Sequence, residues 1–321
     1  MRVLVTGAAG FIGSNLTDRL LAAGHQVIGM DNFITGCPHN VTHLRDNSRF
    51  SLLVCDVTLP LHVEGPLDWV LHFASPASLP TYLAHPIETL RANSEGTYRL
   101  LELAHRTGTN FLLASSSEVY GDPETHPQPE GYRGNVNPNG CRSVYDEAKC
   151  YAEALTMAYN SRHLVKMRII RIFNTYGPRM DPEDGRVVTN FITQALRGEP
   201  LGEPLTVYGD GSHSRSFQFI DDLIEGIMRL MWVKHHGPVN LGKPEEYSVL
   251  VLAYLVKEIT ESPSPIIFKP LPPDDPKQRR PDISRAKELL HWEPKASVRE
   301  GLMRTVDYFR DALELPSRGE V

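Results

Sequence analysis

A tyrosine and a lysine stand four residues apart in the chain, at Tyr145 and Lys149. The stretch around them is expected to begin a long helix, so that both side chains project from one helix face. A phenol with a reference pKa of about 10 becomes a base near neutral pH only where a nearby cation favours its anion. Because the ammonium of Lys149 supplies such a cation, the pair indicates proton transfer. The alternative interpretation is an ordinary exposed helix pair.

A run of serines follows the predicted strand Phe111–Ala114 and leads into Glu118. Open α/β sheets bind ligands at the carboxyl ends of their strands. At such an end, a hydroxyl of this run is predicted to polarise a carbonyl group. Serines at strand ends are also common turn formers, and Glu118 is alternatively a solvated carboxylate.

Three glycines, Gly7, Gly10 and Gly13, follow the first predicted strand and open a helix that is apolar on one face. Gly7 allows a tight turn, Gly10 lets a pyrophosphate approach the backbone, and Gly13 lets the helix pack closely on the strand. The N-terminus of that helix offers free N–H groups and about half a positive charge. Together with Phe11 and Ile12, this turn is predicted to bind the diphosphate of a dinucleotide. A bare packing turn is the alternative.

An acidic residue, Asp31, ends the second predicted strand. A carboxylate at this place accepts hydrogen bonds from both hydroxyls of an adenine ribose and repels a 2′-phosphate. The neighbouring Asn32 and Phe33 offer no basic side chain to hold such a phosphate. The cofactor predicted from these residues is therefore NAD rather than NADP.

A second acidic residue, Asp56, follows the third predicted strand beside Val57. Two interpretations are equally open. Either the pair receives the edge of the adenine, or Asp56 is a simple turn carboxylate. The remaining predicted cofactor contacts are Phe73, Ser75, Ala114, Tyr145 and Lys149.

The elements that must position these residues are visible as short apolar runs between longer amphipathic stretches. Near-continuous Val, Ile and Leu runs suit strands buried on both faces, and helix-length spacers suit parallel crossovers. The predicted fold class is α/β, a Rossmann-type doubly wound parallel sheet with a smaller, mixed α/β substrate domain toward the C-terminus. The predicted strands of the sheet are Val3–Val5, Gln26–Met30, Phe50–Cys55, Trp69–Phe73, Phe111–Ala114 and Val165–Phe173.

After about Tyr176 the alternation of apolar runs and amphipathic stretches becomes less regular. We assign residues 1–175 and about 213–242 to the NAD-binding domain, and about 176–212 and 243–321 to the substrate domain. Five prolines exclude a regular helix or central strand over 269–283. A four-residue unit written twice, at 198–205, is expected to be a duplication in a surface loop. Further predicted elements are the strands Leu205–Tyr208, Phe217–Ile220 and Ile266–Phe268, and the helices Ser248–Thr260 and Val298–Leu313.

Composition excludes several classes of protein. The 321 residues carry 33 basic and 39 acidic side chains, a formal charge of -6 without blocks of one sign. A modest negative charge of this kind provides no basic patch that would bind nucleic acid or an anionic membrane. No apolar run approaches the roughly 20 residues that span a bilayer. Four cysteines without CxxC spacing and scattered histidines predict reduced thiols, no metal site and a complete, untargeted cytoplasmic protein.

The glycine-rich turn and the Tyr-x-x-x-Lys pair together resemble the extended short-chain dehydrogenase/reductases that act on nucleotide sugars. Further strings, spread over essentially the whole chain, resemble the UDP-glucuronate decarboxylases of that family. These strings are SSEVYGDP at 116–123, GNVNP at 134–138, RIFNTYGPRM at 171–180, DGRVV at 184–188, LTVYG at 205–209 and DDPKQRRPDI at 274–283. The last string is the most specific of them.

This resemblance implies a decarboxylation that passes through a ketone. NAD+ takes a hydride from C4 of the glucuronosyl ring while Tyr145 removes the hydroxyl proton, assisted by Lys149 and Ser116. The ketone lies β to the carboxylate, so carbon dioxide leaves as its electron pair moves into the C4 oxygen. Protonation at C5 and return of the hydride give UDP-xylose, with NAD still bound and no metal required.

The resemblance also assigns residues that contact the UDP-sugar substrate. Glu118 matches the family's active-site glutamate, which is expected to position the ring and either to activate water or to deliver the C5 proton. Arg279 matches an arginine that reaches back from the second domain to a diphosphate or carboxylate. Substrate contacts are implied for Arg91, Asn174, Thr175, Arg179, Arg186, Tyr208, Arg215 and Arg279.

Ser117 stands where the related 4,6-dehydratases carry an aspartate that protonates a departing hydroxyl, which disfavours dehydration here. The resemblance further implies a homodimer, formed through the helix that follows Tyr145 and a neighbouring helix. Two alternatives stay open: a 4-epimerase of UDP-glucuronate or a UDP-hexose, and a non-catalytic NAD-binding scaffold. Such scaffolds usually lose the tyrosine or the lysine, and both are present in this chain.

Overall fold

The computed structural model describes residues 1–201, 203–271 and 278–314. Within them, the strands in chain order are β1 (Arg2–Thr6), β2 (Gln26–Asp31), β3 (Phe50–Val54), β4 (Trp69–His72), β5 (Asn110–Ser116), β6 (Met167–Ile172), β7 (Thr175–Tyr176), β8 (Leu205–Tyr208), β9 (Ser214–Ser216), β10 (Gln218–Phe219), β11 (Pro238–Leu241), β12 (Glu246–Ser248), β13 (Ile266–Lys269) and β14 (Gln278–Arg279).

The helices in the same residues are α1 (Phe11–Ala22), α2 (His39–Thr42), α3 (Leu79–Ala84), α4 (Pro86–Arg91), α5 (Thr97–Thr107), α6 (Ser143–Ser161), α7 (Val187–Leu201), α8 (Ile220–Trp232), α9 (Val249–Thr260), α10 (Ser284–Leu290) and α11 (Val298–Ala312). A π-helical turn, Ala92–Gly96, joins α4 to α5. A 3₁₀ turn, Ser117–Tyr120, follows β5.

Seven strands form one parallel sheet in the order β11-β6-β5-β4-β1-β2-β3. The chain winds from β1 outward to β3, returns to β4, and then winds outward in the other direction. The winding reverses between β1 and β4, and such a reversal leaves a crevice at the carboxyl ends of the two strands. This sheet confirms the predicted α/β class with a Rossmann-type doubly wound architecture.

Helices cover both faces of the sheet. Leu16 of α1 belongs to the core on one face, and Leu100 of α5 belongs to the core on the other. The strand β1 serves both cores, because Val3 and Val5 face the first and Leu4 faces the second. A strand buried on both sides needs apolar residues at consecutive positions, which is why its sequence is a continuous apolar run.

The fifth strand is longer than the sequence predicts. The prediction ends it at Ala114, whereas β5 continues through Ser115 and Ser116, which pair with Arg171 and Ile172 of β6. Ladder pairing on a buried sheet outweighs the turn preference of serine. The extension carries Ser116 to the edge of the sheet, and the other predicted strands of the sheet are confirmed with ends that differ by one or two residues.

The second half of the described chain adds small sheets beside the large one. The strand β8 pairs in parallel with β13, and β9 lies between β12 and β14. The predicted strands at 205–208 and 266–268 are confirmed, as are the helices at 248–260 and 298–313, each within one residue. The predicted strand at 217–220 is wrong in extent, because Ile220 begins α8, whose acidic first turn stabilises the helix N-terminus.

Two predictions for this half concern irregular segments. Residues 272–277 lie outside the described residues. In the described part of 269–283 the structure has no helix and contains only the last residue of β13 and the two residues of β14, which is an edge strand. The first copy of the duplicated unit does not form a loop, since α7 continues to Leu201. An inserted unit costs little free energy at a surface, so it can lengthen a helix as readily as a loop.

Gly13 is enclosed between α1 and the turn before it. A Cβ atom at this position would stand 2.0 Å from the carbonyl oxygen of Gly7. Gly7 has a φ of +70°, and a Cβ atom there would stand 2.8 Å from the backbone of Phe73, just after β4. These glycines let α1 begin directly against β1 and β4, as the sequence predicts.

Gly13→Ala is expected to lower the free energy of unfolding by roughly 1–3 kcal/mol, because the added methyl group overlaps backbone that moves only if α1 shifts. Urea unfolding followed by circular dichroism measures this loss. The control is Gly131→Ala, since a Cβ atom at Gly131 meets no heavy atom of the described chain within 4 Å. That control should change the free energy by less than about 0.5 kcal/mol, and equal losses in both variants would contradict the packing role of Gly13.

Candidate active site

The carboxyl ends of β1, β4, β5 and β6 open into a cavity of about 1240 Å³, and a second cavity of about 90 Å³ shares Gly7 and Gly10 with it. Predicted residues that line the larger cavity are Gly7, Gly10, Phe11, Ile12, Gly13, Phe73, Ser75, Ala114, Ser116, Glu118, Tyr145, Lys149, Asn174, Thr175, Arg179, Arg186, Tyr208, Arg215 and Arg279. Those that line the smaller cavity include Asp31, Asn32, Asp56, Val57 and Arg91.

The turn between β1 and α1 has the shape of an anion cradle. Gly10 precedes the first residue of α1 and has no side chain that would cap the first N–H groups of the helix. These groups and the helix dipole favour a diphosphate. Because a Cβ atom at Gly7 would run into the backbone of Phe73, only glycine keeps this turn close to β4. The cradle fits the diphosphate of a dinucleotide.

Asp31 is held in place by two backbone donors. The N–H of Ala9 donates to its Oδ2 at 2.9 Å, and the N–H of Phe33 donates to its Oδ1 at 2.8 Å. Burial raises the pKa of Asp31, and these hydrogen bonds act in the opposite direction. Each oxygen keeps acceptor capacity toward the smaller cavity. The residues present therefore fit the ribose of NAD, whose hydroxyls are both free.

Asp56 closes a turn and also lines the smaller cavity with Val57. The N–H of Thr58 donates to its Oδ1 at 2.8 Å, and the amide of Asn32 donates to its Oδ2 at 2.9 Å. Burial disfavours the charge, but these hydrogen bonds prevail and lower the pKa of Asp56. The turn role is thus present in the structure, and a contact with the adenine stays a prediction.

Tyr145 and Lys149 lie on the first two turns of α6, as the spacing predicts. The Nζ of Lys149 stands 5.4 Å from the centre of the Tyr145 ring and donates to the carbonyl oxygen of Ala114 at 3.0 Å. Burial lowers the pKa of Lys149 to about 7. The lysine is therefore anchored to β5 and titrates close to neutral pH.

The phenol of Tyr145 is a weaker acid than a free tyrosine. Burial raises its pKa to about 12, against the opposing effects of a hydrogen bond from Ser116 and the charge of Arg186. The protein groups alone do not offset the desolvation of the anion, and the role of Tyr145 as a base in the presence of Lys149 and NAD+ stays a prediction. An additional positive charge is needed at the site.

Glu118 lies between two guanidinium groups. Arg279 forms an ion pair with its Oε1, and the Nη2 of Arg142 lies 3.0 Å from its Oε2. Burial opposes the carboxylate charge, but the two arginines prevail and hold the pKa of Glu118 well below its usual range. Arg279 also donates to the carbonyl oxygen of Gly121 at 3.0 Å, and its side chain is 3% exposed. Glu118 is thus a fixed, ionised group rather than a solvated one.

Two residues of this site were missed by sequence reasoning. Arg142 stands one helical turn before Tyr145, and that spacing could have indicated it. The ring of Tyr82 stacks on the ring of Tyr145 with centres 5.4 Å apart and planes 9° apart. Tyr82 comes from the short helix α3, and no local sequence signal indicates it.

The predicted substrate residues of the second half surround the same cavity, with several of them already paired. The Nε of Arg186 lies 3.2 Å from the Oδ2 of Asp184. Arg186 is also close enough to Tyr145 for its charge to lower the pKa of the tyrosine. Arg179 forms an ion pair of 2.6 Å with Asp18 of α1. The other substrate residues in the cavity wall are Asn174, Thr175, Tyr208 and Arg215.

Arg91 is placed differently from the prediction. It lines the smaller cavity with Asp31 and Asp56, and it forms hydrogen bonds of 3.0 and 2.9 Å with Glu95. The reason is topological, because α4 follows β4 and ends beside the carboxyl ends of β1 and β2. Arg91 thus lies with the predicted cofactor residues, apart from the predicted substrate residues.

The described residues contain no group of three or more His, Cys, Asp or Glu arranged to hold a metal ion. None of their helices combines the length and apolar character that crossing a membrane requires.

Known proteins resemble the chain over almost its whole length. It is 54% identical over 310 residues to UDP-glucuronic acid decarboxylase 4 of Arabidopsis thaliana. The aligned region covers 97% of this chain and 69% of the relative. A UDP-glucose 4-epimerase of Thermotoga maritima, solved with UDP-glucose, superposes with a TM-score of 0.88 at 31% identity, covering 98% of this chain and 100% of that one. A UDP-glucuronic acid 4-epimerase of Bacillus cereus, solved with NAD, has a TM-score of 0.84 at 30% identity, with 99% of each chain covered.

A family model described as "NAD dependent epimerase/dehydratase family" matches residues 3–242. This range contains the glycine turn, Asp31, Glu118 and the Tyr145–Lys149 pair. The resemblance inferred from the sequence motifs is thereby confirmed. Since the match runs from β1 through β11 and so includes the whole parallel sheet, the chain belongs to the NAD dependent epimerase/dehydratase family.

Proposed function

We propose that this protein is a UDP-glucuronate decarboxylase, which uses NAD to convert UDP-glucuronate into UDP-xylose and carbon dioxide. The observation that carries the proposal is the buried guanidinium of Arg279, which stands with Glu118 in the same cavity as Tyr145 and Lys149. Arginine binds carboxylates and diphosphates through a fixed fork of donors. The relative at 54% identity carries this activity in its name.

The first chemical task of the chain's residues is to move the proton of the C4 hydroxyl. When bound, NAD+ would supply a reversible hydride acceptor and a positive charge at the site. Tyr145 accepts the hydroxyl proton and later gives it back. The hydroxyl of Ser116 donates a hydrogen bond to the tyrosine oxygen, and this bond favours the phenolate. When protonated, Lys149, whose Nζ stands 5.4 Å from the centre of the tyrosine ring, favours the phenolate further.

The second task is to stabilise charge on the C4 oxygen. A ketone at C4 lies β to the carboxylate, so the bond to the carboxyl carbon breaks as its electron pair moves into that oxygen. Tyr145, which then carries the proton, and Ser116 donate hydrogen bonds to it. Glu118 stays ionised between its two arginines, so it orients a sugar hydroxyl or a water molecule. The proton for C5 then comes from such a water rather than from Glu118 itself.

The purified protein, incubated with NAD+ and UDP-glucuronate, is expected to release one carbon dioxide for each UDP-xylose formed, with no net NADH. Trapping of the gas and mass spectrometry of the nucleotide sugars measure this. A product that keeps the carboxylate would contradict the decarboxylase and support a 4-epimerase. Bound NAD without any turnover would support a non-catalytic scaffold.

Tyr145→Phe is expected to lower kcat by about 10²–10⁴-fold while NAD stays bound, because the variant keeps the aromatic ring but lacks the acid–base group. Steady-state kinetics and the absorbance of bound NAD measure the two effects. The control is Tyr254→Phe, which removes a hydroxyl from a side chain that is 60% exposed on α9. An unchanged kcat in Tyr145→Phe would exclude this residue as the base.

We also propose the domain division predicted from the sequence, with residues 1–175 and about 213–242 holding NAD and the remainder holding the nucleotide sugar.

A cytoplasmic location is proposed as well. It is supported by the four cysteines, which are all unpaired, as expected in a reducing compartment.

A homodimer is proposed through α5 and α6, which pack against each other along the outside of the sheet. Tyr98 of α5 is 50% exposed, as is Tyr151 of α6, and Met157 of α6 is 40% exposed. Large apolar side chains exposed on neighbouring helices are typical of an interaction surface.

The double variant Tyr98→Glu/Tyr151→Glu is expected to convert the dimer into a monomer, because two buried carboxylates at an apolar interface would lack partners. Sedimentation velocity measures the mass of each species. Tyr254→Glu, on α9, serves as a control that should leave the dimer intact. A wild-type monomer, or a double variant that is still dimeric, would contradict this interface.

A further inference from the structure

We infer that Gln128 is a positioning residue for Arg279: its buried amide fixes the backbone that follows Arg279 and so holds that guanidinium against Glu118. The inference rests on the roles proposed above for Arg279 and Glu118 in turnover. Gln128 lies in the connection between the 3₁₀ turn that carries Glu118 and the helix α6 that carries Tyr145. It has no exposed surface.

Arg279 needs support from outside its own strand. It ends β14, a strand of two residues whose ladder partners, Ser214 and Arg215, both lie on β9. Its guanidinium must nevertheless meet Glu118 and the carbonyl oxygen of Gly121, which lie on a different part of the chain. Two ladder positions leave the direction of a strand poorly determined. The residues just after Arg279 therefore decide where its side chain points.

Gln128 holds these following residues through its side chain and its backbone. Its Oε1 accepts a hydrogen bond from the N–H of Arg280 at 2.8 Å, and its own N–H donates to the carbonyl oxygen of Arg280 at 2.9 Å. The N–H of Asp282 donates to the carbonyl oxygen of Gln128 at 3.0 Å. A parallel bridge between Gln128 and Pro281 completes the contact. Gln128 thus contacts each of the three residues that follow Arg279.

The chemistry of this position requires an amide of this length. While Oε1 accepts from Arg280, the Nε2 of Gln128 donates to the carbonyl oxygen of Thr125 at 2.7 Å. A carboxylate has no proton for the second bond, and a leucine of similar size offers neither group. Asn240 of β11 donates to the carbonyl oxygens of Gln128 and Asp282 at 3.0 and 3.1 Å. The contact between the two segments is therefore anchored to the main sheet.

Displacement of Arg279 would change the charge balance at Glu118. The ionisable groups that face Glu118 are Arg279 from β14, Arg142 just before α6, Tyr145 and Asp146 on α6, and Tyr82 on α3. Arg279 contributes the largest effect that favours the carboxylate. When it moves away, the pKa of Glu118 rises, so a larger fraction of Glu118 is protonated at mildly acidic pH. The titration of Glu118 then moves to higher pH.

A double-mutant cycle on the NAD-loaded protein with UDP-glucuronate tests this coupling. Gln128→Leu is expected to lower kcat by about 100-fold, a loss that a displacement of about 1 Å can cause. It should also raise the midpoint of the ¹³C NMR titration of Glu118 by at least about one pH unit. In an Arg279→Met background the same substitution should cost almost nothing further, because the group that it positions is already absent.

The matched control is Asp222→Ala. Asp222 holds a distant loop by accepting backbone hydrogen bonds from Lys295 and Ala296 at 2.9 and 3.0 Å. Asp222→Ala should lower the midpoint of thermal unfolding without a shift in the titration of Glu118. Losses of kcat that add fully in the Gln128→Leu/Arg279→Met double variant, or a Glu118 titration that does not move, would overturn the inference.

Measurements without turnover separate this inference from the proposed function. Hydrogen exchange at the amide of Arg280 should be slow in the wild type and fast in Gln128→Leu. The ¹³C NMR titration of Glu118 should shift upward in the same variant. If Gln128→Leu does not fold, Gln128→Met takes its place, since it keeps the length of the side chain and loses the acceptor for Arg280 and the donor to Thr125. An unchanged Glu118 titration overturns the positioning role, even if UDP-glucuronate proves not to be the substrate.

Discussion

The ion pair between Glu118 and Arg279 joins positions 161 residues apart in the chain. Removing a carboxylate and a guanidinium from water costs free energy that their attraction repays only in good geometry with further hydrogen bonds. Here Arg142 and the carbonyl oxygen of Gly121 supply those further bonds. Because the charge of Arg279 is compensated only when the second half of the chain has packed on the first, the site is complete only in the full fold.

The cofactor cradle depends on this long-range closure much less than the chemistry does. The glycine turn, the N-terminus of α1 and Asp31 all belong to the first 31 residues, and Asp31 is bonded to the backbone of Ala9 and Phe33. The proposed acid–base group is different, since the pKa of Tyr145 reflects burial, Ser116 of β5 and Arg186 just before α7. The cradle that fits a diphosphate and a ribose is therefore nearly local, whereas the proposed proton transfer needs residues from three separate segments.

Much of the fold and part of the site were predictable from the sequence. Continuous apolar runs identified the strands of the main sheet, and the spacing of Tyr145 and Lys149 placed both on one helix. The site predictions were incomplete where position depends on packing. Arg91 was assigned to the substrate but lies beside Asp31 and Asp56. Tyr82 was missed, because its stacking on Tyr145 is a contact between two helices that no local pattern encodes.

The sequence by itself determined which chemical groups are available and which elements carry them. Hydrophobic period, glycine conformation and helix spacing act over a few residues, so they can be read along the chain. Only the tertiary structure decided the charge states of those groups. Burial raises the pKa of Tyr145 and lowers that of Lys149, while two arginines keep Glu118 ionised. Desolvation and the distance between charges depend on segments that meet only when the chain has folded.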